Sequence, residues 1–167
     1  MRSQPAALSI TAEPLSSSDA RALIARLDAE LTERYPNPED NHFDLAAEQV
    51  DAGRGVFLVA RLTDGPVTGP IGCGALRRIE TETTEPTGEI KRMYVAPSAR
   101  GLGIGRHLLT ELERHAHELG LRRLVLETGE RQPEAIRLYE RAGFSRIDRF
   151  GGYVNSPMSV CMGKAIE

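Results

Sequence analysis

The residues best suited to binding chemistry lie in the segment Arg100-Gly101-Leu102-Gly103-Ile104-Gly105-Arg106. Its three alternate glycines let the main chain approach a ligand without obstruction by side chains. The segment stands between a predicted strand and a predicted long helix, so its amide N–H groups and the positive end of the helix dipole would form an anion site. Arg100 and Arg106 would add positive charge. The segment therefore predicts a loop that binds a diphosphate.

Three other interpretations of this glycine-rich segment stay open at this point. A dinucleotide-binding loop would have its third glycine at position 106, which is Arg, and no acidic residue stands suitably at the end of a second strand. A nucleoside-triphosphate loop would contain Gly-Lys-Ser or Gly-Lys-Thr, which is absent. The segment could also be a flexible start of a helix that binds nothing.

The composition of the chain is that of a globular protein. Its 167 residues are 40% hydrophobic and 27% charged, with a net charge of −3, which suits a single domain with its own core. This charge argues against general binding to nucleic acid or to an anionic membrane. The sequence has neither a run of roughly 20 apolar residues nor a secretory signal, so a cytoplasmic location is expected. Cys73 and Cys161 are predicted to be reduced core thiols.

Hydrophobic periodicity and glycine or proline breaks predict alternating strands and helices. In the first half we expect strands over 6–12, 56–62 and 71–79, a loop over 64–66, a polar turn over 80–88, a helix from 16–19 to Tyr35 and a short helix over 44–50. In the second half we expect strands over 89–95, 121–127, 144–147 and 159–162, and helices over 103–119 and from Pro133 to Gly143. This order predicts an α/β fold of the α+β type with at least one parallel strand pair.

Two motifs of the second half resemble the signatures of the GNAT superfamily of N-acetyltransferases. The pattern Arg100-x-x-Gly103-x-Gly105, after a strand that ends Tyr94-Val95-x-Pro97, resembles its coenzyme A loop. The pattern Ala135-x-x-Leu138-Tyr139-x-x-x-Gly143-Phe144 resembles its second signature. The resemblance implies a mixed, mostly antiparallel central sheet of six or seven strands flanked by about four helices. It also implies one N-acetyltransferase domain over residues 1–167, with a coenzyme A-binding core over 88–147.

The resemblance assigns the site of acetyl-CoA residue by residue. The backbone amides from Gly101 to Arg106 would hold the pyrophosphate, and the strands 89–95 and 122–128 would splay apart to form a slot for the thioester. The backbone of Met93 and Val95 would pair with the pantetheine arm, and the Val95 amide would donate to the developing oxyanion. The predicted cofactor-binding residues are Met93, Tyr94, Val95, Arg100, Gly101, Leu102, Gly103, Ile104, Gly105, Arg106 and Gln132, the last where the family often has Asn.

The implied reaction is transfer of the acetyl group to a primary amine, which needs a base. An alkyl amine with a pKa near 10.4 is almost entirely protonated at pH 7, and recovering its neutral form costs roughly 4.6 kcal/mol. A carboxylate that accepts this proton would lower the barrier. Glu89 aligns with the glutamate that serves as the base in histone-acetylating members, although an exposed strand glutamate is an alternative interpretation. Glu127 is the second candidate, and either carboxylate could instead attract the ammonium group.

Tyr139 matches the tyrosine of the family that hydrogen-bonds the departing thiolate. A phenol with a pKa of about 10 is protonated at neutral pH and can donate. Complete proton transfer to a thiolate with a pKa near 8.5 would be uphill by roughly 2 kcal/mol, so we expect a hydrogen bond rather than full protonation. A helix-face aromatic of the core is the alternative. Tyr139 and Glu89 are the predicted catalytic residues.

Signals for the acceptor are weaker than those for the donor. The resemblance places the acceptor pocket between the segment after the first helix, with Tyr35, Asp40 and His42, and the loop 150–153. The predicted substrate residues are Tyr35, Tyr153 and Glu127. The cations Arg77, Lys91 and Arg92 could bind a carboxylate on the acceptor or form a solvated strand face.

The remaining residues indicate no metal site. Three of the four histidines lie along the predicted helix over 103–119, without the spacing of metal ligands. We expect a small-molecule or peptide amine as the partner, and no nucleic acid or membrane. The resemblance is compatible with a homodimer. Two other functions stay open, namely a coenzyme A-binding sensor without catalysis and a nucleotide-binding domain of another kind.

Overall fold

The computed structural model describes residues 7–65 and 68–167. Position 6 of the first predicted strand and position 66 of the predicted loop lie outside the described residues. In chain order the elements are β1 (Leu8–Ala12), α1 (Ser18–Arg34), β2 (Gly55–Leu62), β3 (Gly69–Ile79), β4 (Thr87–Val95), α2 (Ile104–Glu118), β5 (Arg123–Gly129), α3 (Pro133–Arg141), β6 (Ser145–Ile147) and β7 (Ser159–Ala165).

The strands of the described chain form one seven-stranded sheet in the order β1-β2-β3-β4-β5-β7-β6. Neighbouring strands run antiparallel except for β4 and β5, which run parallel. The parallel pair forms because α2 connects its two strands as a crossover. The predicted mostly antiparallel sheet of six or seven strands, with one parallel pair, is confirmed.

The described residues contain three α-helices, where about four were expected. The segment predicted as a short helix over 44–50 forms only a single 3-10 turn, Ala47–Val50, after which Asp51 is extended. Val50 is the buried residue of this turn. The segment lacks the apolar stripe that would hold a longer helix against the sheet, and an isolated short helix is unstable.

Helix α2 packs on the sheet through one apolar face and thereby fixes the loop before it. Leu108, Leu112 and Ala116 follow one another at four-residue spacing and are completely buried. A Cβ atom at Gly72 of β3 would lie 3.4 Å from the Leu108 side chain, so helix and sheet are in close contact. This packing holds the first turn of α2 beside the end of β4.

The two central strands separate halfway along their length. Parallel pairing joins Thr87–Ile90 to residues 123–126 and ends there, although β4 continues to Val95 and β5 to Gly129. Beyond the paired part, Arg92 has a φ of 59° and the β3–β4 register shifts, which indicates a β-bulge in β4. The structure therefore contains the slot that the resemblance implied.

Both cysteines are free and buried, as expected for core thiols. Burial raises the pKa of Cys73 to about 12, so this thiol is unreactive at neutral pH.

Among the helices of the described ranges, none combines the length and the apolar composition needed to cross a membrane.

Gly55 begins β2 at a position where the main chain leaves no room for a side chain. A Cβ atom there would lie 2.3 Å from the carbonyl oxygens of Gln49 and Leu76. Because overpacking against the backbone forces the chain to move, we expect Gly55→Ala to lower the free energy of unfolding in urea by about 3 kcal/mol. Gly152→Ala is the matched control, since nothing lies within 4 Å of its Cβ position. Equal stability of the two variants would contradict this interpretation of Gly55.

Candidate active site

The start of α2 is open toward a cavity of about 540 Å³. Gly103 is the N-cap residue with a φ of 81°, and no side chain accepts the N–H groups of the first helical turn. Gly101 has a φ of 85°, and no heavy atom lies within 4 Å of a Cβ position on either glycine. The loop therefore presents main-chain donors at a helix N-terminus with free space in front of them, which fits a phosphate group.

The lining of this cavity includes ten of the eleven residues predicted to bind the cofactor. Because the cofactor would donate the acetyl group, this cavity is called the donor cavity. The exception is Leu102, whose side chain is 49% exposed and lies outside the lining. Ile104 is 1% exposed because its side chain packs in the core, so only its main chain is suited to binding. Arg137 and Arg141 of α3 also line the cavity and were not predicted, although their four-residue spacing on a helix was a usable signal.

Arg100 ties the glycine-rich loop to its surroundings. Its Nε donates to the Val95 carbonyl oxygen at 2.8 Å, and its Nη2 donates to Glu30 of α1 at 2.7 Å. The side chain therefore links the loop to β4 and α1. Its charge is already shared with a carboxylate, so its first effect is to position the loop.

A small cavity of about 80 Å³ lies where β4 and β5 separate. It shares Met93, Gln132 and Tyr139 with the donor cavity. It shares His42 and Tyr153 with a third cavity of about 1030 Å³. The three cavities therefore adjoin. After the roles that the resemblance predicts, the small one is called the reaction cavity and the cavity of about 1030 Å³ the acceptor cavity.

Tyr139 lies at the boundary between the donor cavity and the reaction cavity. Its ring is 6% exposed and packs edge-on against Phe144 at a centroid distance of 6.0 Å. Burial raises the pKa of the hydroxyl above its usual range. The phenol therefore stays protonated at neutral pH and can only donate to an anion. The side chain is thus a core aromatic that also lines both cavities, and its hydrogen bond to a departing thiolate stays a prediction.

Glu89 is 2% exposed, so the alternative interpretation of an exposed strand glutamate is wrong. Its Oε1 accepts hydrogen bonds from Arg77 Nε at 3.0 Å and Nη2 at 2.8 Å. Its Oε2 accepts from the Tyr153 hydroxyl at 2.6 Å. Both carboxylate oxygens of Glu89 are therefore already occupied by donors of the protein itself.

Glu89 belongs to a closed ring of five side chains, here called the charged ring. The Tyr153 hydroxyl accepts from Lys91 Nζ at 3.2 Å, and Lys91 Nζ donates to Asp44 Oδ1 at 3.0 Å. Arg77 Nη2 donates to Asp44 Oδ2 at 3.2 Å and so closes the ring. Arg77 and Lys91, predicted as cations for an acceptor carboxylate, are thus paired with carboxylates of the protein itself.

Arg92, the third cation predicted for an acceptor carboxylate, is paired with α1. Its Nη2 donates to Asp28 Oδ1, and its guanidinium lies 5.1 Å from the centre of the Phe43 ring. The side chain is 4% exposed. It therefore holds the bulged residue of β4 against the first helix.

Glu127 faces the reaction cavity from β5. Its Oε2 accepts a hydrogen bond from Ser159 Oγ at 2.6 Å. Burial raises its pKa to about 7, against the opposing effects of the Ser159 hydrogen bond and of Lys91. A carboxyl group that titrates near neutral pH has the proton affinity that a general base requires.

The structure separates the other predicted acceptor residues. Tyr35 is 3% exposed, its hydroxyl accepts from the Arg131 N–H at 2.9 Å, and it lines none of the three cavities. It packs at the turn after β5, and a Cβ atom on Gly129 would lie 1.8 Å from its oxygen. Asp40 also lies outside the three linings.

His42 and Tyr153, in contrast, line the acceptor side together. Their rings meet edge to face with centroids 4.9 Å apart. His42 Nε2 lies 3.1 Å from Ser156 Oγ, and Ser156 and Ser159 are 5% and 4% exposed. These two serines were not predicted, because an isolated serine before a strand carries no signal in a single sequence.

The raised pKa of Glu127 makes the stability of the protein depend on pH. Between about pH 4.5 and pH 7 the folded carboxyl holds more protons than the unfolded one, so stability falls as pH rises through this window. We expect Glu127→Gln to be more stable than the wild type at pH 8 by up to about 3 kcal/mol, and the difference to vanish at pH 4. Urea denaturation of both proteins at several pH values measures this. A difference that does not change with pH would contradict the raised pKa.

The sequence matches the Acetyltransferase (GNAT) family over residues 22–144. It is 42% identical over 144 residues to the protein named "IAA acetyltransferase" of Azospirillum brasilense, which covers 86% of this chain and 88% of the relative. Among solved structures, the "putative acyl-CoA N-acyltransferase" of Klebsiella pneumoniae shares 33% identity with a TM-score of 0.75, over 96% of this chain and 99% of that chain.

A GNAT family acetyltransferase of Elizabethkingia anophelis, solved with acetyl-CoA bound, has the same fold. It is 20% identical with a TM-score of 0.65, over 97% of this chain and 100% of that chain. The resemblance inferred from the two motifs is therefore confirmed. This chain belongs to the GNAT family of acetyltransferases.

Proposed function

We propose that this acetyltransferase transfers the acetyl group of acetyl-CoA to a primary amine of a small molecule. The observation that carries the proposal is the sequence of three adjoining cavities across the gap between β4 and β5. The donor cavity has an anion site of main-chain amides. The reaction cavity is lined by a protonated phenol and by a carboxyl group with a pKa near neutrality.

The donor side fits coenzyme A through its main chain. The amides from Gly101 to Gly105 would hold the diphosphate, with Arg106, Arg137 and Arg141 around it. Met93 and Val95 extend β4 beyond its pairing with β5 and would meet the pantetheine arm as an added strand would. The donor supplies an acetyl group activated as a thioester.

Two contacts favour a small acceptor over an extended peptide. The His42 ring touches the Tyr153 ring, and Lys91 joins Asp44 to Tyr153. The segment after α1 and the loop before β7 therefore meet beside the acceptor cavity and close what would otherwise be an open groove. The Asp44 side chain is 71% exposed but is already paired with Lys91 and Arg77, so its proposed role is to hold this closure in place.

The proposed reaction uses two residues that line the reaction cavity, Glu127 and Tyr139. Glu127 accepts a proton from the ammonium group, and the neutral nitrogen forms a C–N bond with the thioester carbon. The C–S bond breaks, and the sulfur leaves with the electron pair, toward Tyr139, whose hydroxyl hydrogen-bonds the thiolate. The Val95 amide is the proposed donor to the carbonyl oxygen. The nitrogen loses its second proton as the amide forms, and the thiolate takes up this proton to become the free thiol of coenzyme A.

Of the two carboxylates predicted as bases, the geometry favours Glu127. Both oxygens of Glu89 accept hydrogen bonds from the charged ring, and its proposed role is to hold Tyr153 in place. Glu127 has a raised pKa and faces the cavity that Tyr139 also lines. A coenzyme A sensor without catalysis would need the donor cavity but no carboxyl group in the gap.

Further parts of the proposal concern the cellular setting. We propose a cytoplasmic location, where acetyl-CoA is available, and catalysis without a metal ion. A homodimer and an acceptor amine on a peptide stay predictions, as does the absence of nucleic-acid and membrane partners.

Gly103→Val tests the anion site. A branched side chain at this position would project into the space where the diphosphate approaches, so we expect the Kd for coenzyme A to rise by at least about thirtyfold in calorimetry, or about 2 kcal/mol. Gly53→Val is the matched control, since Gly53 has a φ of 84° and also has nothing within 4 Å of its Cβ position. It introduces the same backbone strain away from the donor cavity. Unchanged affinity of folded Gly103→Val would refute the placement of the phosphates.

Tyr139→Phe tests the chemistry. The assay measures the free thiol that is released when wild-type protein is mixed with acetyl-CoA and one acceptor. The acceptors are benzylamine, tyramine, spermidine, a lysine-containing peptide and IAA. IAA is included because it stands in the name of the relative. With the amine that reacts fastest, we expect Tyr139→Phe to lower kcat by about a hundredfold, because it removes one donor to the developing thiolate. The KM for acetyl-CoA should stay within about twofold. Tight binding of acetyl-CoA without turnover of any amine would favour the non-catalytic sensor.

A further inference from the structure

We propose that Ser159 and Ser156 form a proton relay that carries the proton taken up by Glu127 to His42, at the acceptor cavity. The inference rests on the proposed function, because it names the route by which the proton of the amine leaves the reaction cavity. It assigns roles to two serines and a histidine outside the predicted catalytic residues.

The four side chains form an unbroken series of hydrogen-bond distances. Ser159 Oγ lies 2.6 Å from Glu127 Oε2 and 2.8 Å from Ser156 Oγ. Ser156 Oγ lies 3.1 Å from His42 Nε2. Each distance lies within the normal range for its pair of atoms. Both serines are at least 95% buried, so little water competes for their hydroxyl groups.

The local fold sets the positions of both hydroxyl groups. Ser159 is the first residue of β7 and stands opposite Gly129 at the end of β5. Its N–H donates to the Ser156 carbonyl oxygen at 3.1 Å, and the Ser156 N–H donates to the Tyr153 carbonyl oxygen at 3.0 Å. Successive turns therefore place the serines one after the other between β5 and the His42 ring.

The proton count balances along this series. A serine hydroxyl has one proton and can donate one hydrogen bond while it accepts another. When Glu127 has taken the proton of the ammonium group, it passes a proton to Ser159 Oγ, Ser159 passes its own to Ser156 Oγ, and Ser156 passes its own to His42 Nε2. The result is a carboxylate, two neutral hydroxyls and an imidazolium, which releases one proton to solvent.

The size of the reaction cavity gives the relay its purpose. The cavity has about 80 Å³, which holds only two or three waters at about 30 Å³ each. The thioester and the amine would displace this water when they meet, and a direct path from Glu127 to solvent would then be lost. The relay leaves Glu127 on the side of β7 through Ser159 and Ser156, which lie outside the lining of the reaction cavity, and ends at His42, which also lines the acceptor cavity.

The charges around His42 suit the end of such a relay. Burial and the positive charge of Lys91 lower the pKa of His42, so its imidazolium gives up a proton readily. The charged groups that face His42 are Lys91, Asp44, Asp40 and Glu89. The titratable groups that face Glu127 are Lys91, Glu89, Asp44, Tyr139, Tyr153, Cys161 and Tyr35.

Chemical rescue tests the relay in the intact protein. We expect His42→Ala and Ser159→Ala each to lower kcat for acetylation of the best amine of the panel by about tenfold, with an unchanged KM for acetyl-CoA. Imidazole added to the solution should restore His42→Ala but not Ser159→Ala, because the second variant breaks the relay in the interior. His117→Ala is the matched control, since it removes an exposed imidazole from α2, and its kcat should equal that of the wild type.

Wild-type kcat in His42→Ala, or a loss that imidazole does not restore, would overturn the relay. A ¹³C NMR titration of Glu127 without any amine tests its first link independently of turnover. Ser159→Ala should raise the pKa of Glu127, because a donated hydrogen bond favours the ionised carboxylate. An unchanged pKa would also overturn the relay. If the wild type acetylates no amine of the panel, the proposed function fails, and this titration still decides whether the Ser159 link exists.

Discussion

The separation of β4 from β5 is the constraint on which the rest of the structure depends. Parallel pairing ends at Ile90 and Leu126, so the following residues of each strand keep unpaired main-chain groups toward the gap. Such groups need other partners when they are buried. The bulge at Arg92, pinned by Asp28 of α1, holds β4 away from β5. The gap is therefore built into the sheet, and the donor and acceptor cavities meet through it.

The charged ring fixes the relative positions of the side chains around the site more than it contributes to the free energy of folding. Glu89 and Lys91 are nearly inaccessible to solvent, and burying charges costs free energy that their mutual attraction repays only in good geometry. Among the described residues, no buried side-chain nitrogen or oxygen lacks a hydrogen-bond partner. Each charge therefore restrains the next, and the ring joins β3, β4, the segment after α1 and the loop before β7. This restraint places Tyr153 and His42 beside the reaction cavity.

Parts of this arrangement were predictable from local sequence and parts were not. The loop from Gly101 to Gly105 was predictable, because glycine spacing, a preceding strand and a following helix are all local features. The pairing of Arg77 and Lys91 with carboxylates was missed, because it joins residues up to 47 positions apart. The prediction of a short helix after α1 was wrong for a related reason. Residues of this segment, such as Asp44 and Gln49, form hydrogen bonds with Arg77 of β3 instead of forming one face of a helix. The serines between Glu127 and His42 depend entirely on the fold.

The two carboxylates have different surroundings, although they lie on adjacent parallel strands. Glu89 stands opposite Val125, two residues before Glu127 on β5. Arg77 donates twice to Glu89, whereas Glu127 has a neutral serine as its hydrogen-bond donor. The Arg77 guanidinium holds Glu89 in the charged ring, whereas burial beside a neutral hydroxyl leaves the pKa of Glu127 raised to about 7. A separation of two residues along the sheet thus divides the positioning role proposed for Glu89 from the proton transfer proposed for Glu127.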